Sequence, residues 1–91
     1  MSSPSKIVAI GLNYRDHIRE SKGEVPKFPL IFAKFPNSLI GHKDLITWDV
    51  NLTKKVDFEA ELAVIIGKRI HKCSETEAME AIFGYTCAND V

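Results

Sequence analysis

Asp57-Phe58-Glu59-Ala60-Glu61-Leu62-Ala63-Val64-Ile65-Ile66-Gly67 is the stretch that decides how this chain folds. Side chains alternate between two faces along it, the period of a strand rather than a helix. Phe58, Ala60, Leu62, Val64 and Ile66 fall on one face, all apolar. Glu59, Glu61, Ala63 and Ile65 fall on the other, so two carboxylates run into an apolar stripe. A strand that is apolar on both faces needs cover on both. Residues 57–67 are therefore expected to form a mostly buried strand.

Working outward, Ser74 followed by Glu77 is a capping box. It opens a helix expected to run to about Ile82 and to end at Gly84, before a last strand from Tyr85 to Asp90. Upstream, the β-branched run Lys6 to Ile10 predicts a buried strand ending at Gly11. Asn13 is placed to cap a helix from Tyr14 to about Lys22, with Gly23 as its stop. Pro26 and Pro29 hold the next stretch extended. Leu30 to Lys34 predicts a second strand closed by Pro36-Asn37-Ser38, and Leu45 to Trp48 a third, leading into the polar loop of Asn51, Thr53, Lys54 and Lys55. The fold class is α+β, mainly β, with two short helices. Phe28, Phe32, Phe35 and Trp48 are expected in the core, with Phe32 sharing a strand face with Lys34. His42, Lys43 and His71 are expected at the surface.

Length and composition narrow the function. A chain of 91 residues is enough for one small domain and too short for two. Its 45% apolar and 26% charged residues are ordinary for a soluble protein. Twelve basic and twelve acidic residues cancel, so no electrostatic argument favours nucleic acid or an anionic membrane as partner. No apolar run approaches the ~20 residues of a membrane span. Residues 1–5 are a short polar tail without a hydrophobic signal core, which points to a cytoplasmic protein or to an organellar one after processing. Cys73 and Cys87 have no metal-ligand spacing and are expected as free thiols.

Glu59 and Glu61, two apart on a strand, share a face. Carboxylates leading into a buried stripe are costly unless something cationic pairs with them. A divalent cation answers that cost, and two or three oxygens suit a hard ion such as Mg²⁺ or Mn²⁺. Asp90, at the end of another strand, could supply a third ligand. Spacing alone leaves open a solvated end of an edge strand.

Four blocks of sequence favour the metal. Gly11-Leu12-Asn13-Tyr14-Arg15-Asp16-His17 resembles the segment near the start of the fumarylacetoacetate hydrolase catalytic domain. Leu30-Ile31-Phe32-Ala33-Lys34 with Ser38-Leu39-Ile40-Gly41 is similar to its next block, residues 57–67 to its metal strand, and Gly84-Tyr85-Thr86-Cys87-Ala88-Asn89-Asp90-Val91 to the block that follows. They come in the family's order and cover nearly the whole chain after residue 5. Acylpyruvate hydrolases and 2-hydroxyhepta-2,4-diene-1,7-dioate isomerases share the resemblance.

The resemblance implies that Glu59, Glu61 and Asp90 hold Mg²⁺ or Mn²⁺, that His17 and Glu20 are a catalytic pair on a mobile lid, and that Lys34 lies near the substrate. It implies the N-terminal part of a mixed β-roll catalytic domain, residues 6–91, truncated, since the family's domain is about twice this length and carries a second active-site lysine. A homodimer is expected when full length. The implied activity is hydrolysis of a C–C bond in a small 2-oxo or 1,3-diketo acid through a metal-bound enolate. Isomerisation and decarboxylation are the family's alternatives. A truncated, inactive product and a pocket that binds without turnover are the readings outside enzymology. The 91-residue chain alone is expected to be inactive, and poorly folded or aggregated.

Overall fold

A computed structural model describes residues 3–91, so the polar tail lies partly outside the described residues. The chain divides into two compact units, Met1–Ile46 and Thr47–Val91. Each is built on a two-stranded antiparallel sheet, and the fold is mainly β with two short helices.

In the first unit, β1 (Ile7–Gly11) pairs with β2 (Leu30–Lys34). The register sets Ile7 opposite Lys34, Ala9 opposite Phe32 and Gly11 opposite Leu30, so Phe32 and Lys34 share a face as expected. A Cβ at Gly11 would lie 2.9 Å from Leu30 Cδ2, so a larger residue there would make the exposed Leu30 side chain turn aside. Between the strands runs α1 (Arg15–Glu20), shorter at both ends than its sequence pattern. Tyr14, not Asn13, stands at its N-cap, with no side-chain capping bond. At the other end Gly23 N–H donates to Ile18 C=O at 3.1 Å and Lys22 N–H to Arg19 C=O at 3.1 Å. This pair of bonds closes a helix through a left-handed residue, and that residue is Lys22, with φ of 54°, rather than Gly23. A single 3₁₀ turn, Pro36–Ser38, follows β2, where Ser38 Oγ donates to Phe35 C=O at 2.7 Å.

Leu45 to Trp48 forms no strand. Side-chain-organised turns flank it, with Asp44 Oδ2 accepting from Gly41 N–H at 2.7 Å and Asp49 Oδ1 from Asn51 N–H at 2.8 Å. Among the described residues no strand pairs with it, and β-branched composition alone does not make a strand.

In the second unit, β3 (Ala60–Ile66) pairs with β4 (Ile82–Asn89). Between them α2 (Glu75–Glu80) starts at the expected capping box: Glu77 N–H donates to Ser74 Oγ at 3.2 Å and Ser74 N–H to Glu77 Oε2 at 2.8 Å. The helix stops earlier than expected, since β4 already begins at Ile82 and takes Gly84 into the strand. The register slips between Ile65, opposite Gly84, and Ile66, opposite Ile82, which leaves Phe83 as the extra residue of a bulge. Gly67 accommodates that bulge, because a Cβ there would sit 2.8 Å from Phe83 Cβ.

Burial departs most from expectation. Among the described residues only Ile18 and Ala81 are buried hydrophobics, and the apolar face of β3 stands open, with Leu62 62% exposed. Phe28, Phe32, Phe35 and Trp48 are exposed rather than core. Each unit offers a single two-stranded layer, and one layer cannot cover both of its own faces. His42, Lys43 and His71 are exposed, and both cysteines are free, as expected. No helix among the described residues is long and apolar enough to cross a membrane.

Candidate active site

The second unit positions the acidic residues. Asp90 N–H donates to Glu59 C=O at 3.0 Å, continuing the β3–β4 register one pair past Ala60 and Asn89. Glu59 therefore lies opposite Asp90, and Glu61 lies opposite Ala88. Residues opposite each other in an antiparallel pair share a face, as do residues two apart. The three carboxylates thus occupy one face at one end of the hairpin. Glu61 and Asp90 are half-buried and Glu59 is exposed. Ala63 and Ile65 continue the same face and are also half-buried, while Leu62, Val64 and Ile66 on the opposite face are exposed. The acidic face is the better-covered one in this chain.

Three carboxylates are hard oxygen donors of the kind that Mg²⁺ and Mn²⁺ take. Cβ atoms of directly opposed residues lie about 4.5–5.5 Å apart, within reach of one ion after side-chain rotation. Donor chemistry and register therefore fit a hard divalent cation. The side chains themselves do not converge, since no three His, Cys, Asp or Glu residues among those described are drawn into a coordinating group. Like charges facing each other on a sheet repel, and a shared cation would have to outweigh that repulsion.

One residue at this end escaped the sequence reading. Asn89 Oδ1 accepts the Glu59 N–H at 3.0 Å, across thirty positions of sequence. The available signal was the Asn-Asp pair at a strand end, because Asn side chains readily stand in for main-chain partners.

The first unit holds the other candidates. His17 and Glu20, three apart on α1, are exposed, with the buried Ile18 between them anchoring the helix. Neighbouring positions on a helix permit an imidazole–carboxylate pair, but no hydrogen bond or ion pair joins these two among the described residues. The ion pair α1 does carry is Arg19 Nη1 with Asp16 Oδ1 at 3.4 Å, both largely solvated and contributing little. Lys34 is half-buried at the end of β2, opposite Ile7.

Comparison with known proteins settles the family. Residues 6–91 match the sequence profile described as fumarylacetoacetate (FAA) hydrolase C-terminal. The chain belongs to the fumarylacetoacetate hydrolase family. It is 46% identical over 88 residues to a Dictyostelium discoideum homologue of fumarylacetoacetate hydrolase domain-containing protein 2, covering 97% of this chain and 28% of that one. An oxaloacetate tautomerase of Bacillus subtilis is 43% identical over 91 residues, covering 97% of this chain and 30% of the relative. A mitochondrial oxaloacetate tautomerase of Xenopus laevis is 45% identical over 91 residues, covering all of this chain and 28% of the relative. The chain thus spans under a third of the length of these relatives. No solved structure matches it.

Proposed function

We propose that these residues serve keto–enol tautomerisation of a small 2-oxo dicarboxylic acid of the oxaloacetate type, aided by a divalent cation. The hairpin register carries the reading, because it gathers Glu59, Glu61 and Asp90 on one face. The choice of tautomerisation rests on relatives named oxaloacetate tautomerase at 43% and 45% identity.

Glu59, Glu61 and Asp90 would hold Mg²⁺ or Mn²⁺, which supplies Lewis-acid polarisation of a carbonyl when bound. The remaining roles are proton and charge work by side chains. His17, as neutral imidazole, takes a proton from the carbon beside the ketone and returns one to the oxygen, giving the enol. The reverse sequence restores the ketone, so atoms balance without a co-reactant. Glu20, three positions along α1, would orient the imidazole. Lys34, an ammonium on a half-buried strand end, pairs with a substrate carboxylate. Hydrolysis of a C–C bond in an acylpyruvate or related diketo acid is the second reading, favoured by the hydrolase profile over residues 6–91.

The test is a chimera in which residues 6–91 replace the matching segment of the Bacillus subtilis relative. Stopped-flow absorbance of enol-oxaloacetate should show accelerated conversion to the ketone. His17→Ala should slow it about 10²–10⁴-fold with cation affinity unchanged. Release of pyruvate from an acylpyruvate, without acceleration of tautomerisation, would replace this reading with hydrolysis.

A further inference from the structure

We infer that Asn89 is a positioning residue for the carboxylate end of the hairpin, holding the Glu59 main chain so that its carboxylate faces Asp90. This rests on the cation-site reading above and names a residue that the reading does not use. The Asp90 N–H to Glu59 C=O bond, at 3.0 Å, is half of an antiparallel rung. In a regular ladder the other half would take the Glu59 N–H to the Asp90 main-chain carbonyl. Here the Glu59 N–H goes instead to Asn89 Oδ1 at 3.0 Å. Both main-chain polar groups of Glu59 are thus held by consecutive residues of the other strand, one through a side chain and one through the backbone.

The substitution has a structural consequence. Glu59 lies one residue before β3 and Asp90 one residue after β4, where a two-stranded ladder frays. A side-chain acceptor extends the pairing by one residue beyond the regular strand. That extra residue carries one of the three carboxylates and faces a second. Without Asn89 the chain before Ala60 would be held on one side only, and Glu59 would sample orientations away from Asp90. Glu61, inside β3, has no such need. Asn89 therefore bears on Glu59 and leaves Glu61 in place.

The chimera described above, carrying residues 6–91 and ¹⁵N-labelled, tests this with two separate readouts. The first needs no cation: hydrogen exchange of the Glu59 amide should quicken about threefold or more in Asn89→Ala. Ala63 and Thr86 amides, a hydrogen-bonded pair deeper in the hairpin, should be unchanged and report that it still folds. Asn89→Asp keeps an acceptor oxygen and should restore the protection. The second readout is the Mn²⁺ concentration that broadens the Ala60 and Ala88 amides, which should rise about threefold or more in Asn89→Ala. An unchanged Glu59 amide in Asn89→Ala overturns the inference, as does an unsubstituted chimera without protected hairpin amides. Quickened exchange with unchanged Mn²⁺ broadening overturns the positioning role. An unsubstituted chimera that takes up no Mn²⁺ overturns the cation site itself, and the hold on Glu59 then stands or falls on the amide data.

Discussion

Glu59 and Glu61 were legible from the sequence because period two fixes the face of a strand residue whatever its surroundings. Asp90 joined them through a register that no local pattern specifies, since Glu59 and Asp90 are brought together by the length of what lies between β3 and β4. Asn89 was illegible for the related reason that its partner lies thirty positions away. Lys22 shows the opposite error. Gly23 looked like the left-handed stop of α1, yet Lys22 takes φ of 54° and Gly23 supplies only the closing N–H. A non-glycine residue in that region costs about 1 kcal/mol. Lys22→Gly should therefore raise the stability of the α1 end by up to about 1 kcal/mol, read as increased protection of the Ser21 and Gly23 amides, which donate to His17 and Ile18 carbonyls. Loss of that protection would mean that the Lys22 side chain, not its backbone, holds the turn.

At the scale of elements, signals with their own chemistry held. The capping box formed because Ser74 and Glu77 satisfy each other's main-chain groups without help from the rest of the molecule. The hydrogen bonds from Ser74 N–H and Oγ lower the Glu77 pKa below its ordinary 4.5. A carboxyl with a depressed folded pKa contributes stability that is complete above the unfolded value and is lost as pH falls through the folded one. Helicity of α2 should accordingly be steady above pH 4.5 and decline below it. Glu77→Gln should remove most of that pH dependence, and an undiminished acid transition in this variant would place its origin elsewhere. Ser74→Ala should cost about 1 kcal/mol at neutral pH by loss of the cap. Leu45 to Trp48, by contrast, carried strand composition without a partner, and composition lost to the turns at Asp44 and Asp49.

For the molecule as a whole, hydrophobic pattern foretold which side chains want cover, and the 91 residues do not supply it. Leu62, Val64, Ile66 and Phe83 remain 62%, 47%, 53% and 78% exposed, and among the described residues each sheet has only two strands. Exposed apolar faces beside unpaired strand edges favour association. The isolated chain should therefore unfold over a broad range, and its sedimentation-average mass should rise with concentration. A monodisperse chain with a sharp transition would show that these faces need no partner. Family membership was legible because four blocks fell in order along residues 6–91, whereas the same blocks are compatible with each of the family's reactions. The central claim is that one hairpin face binds a divalent cation through Glu59, Glu61 and Asp90. Mn²⁺ titration by electron paramagnetic resonance, on the Bacillus subtilis chimera and its Glu61→Gln variant, tests it most directly. The account predicts that the variant binds at least about tenfold more weakly, roughly 1.4 kcal/mol. Equal affinity in the two proteins would contradict it.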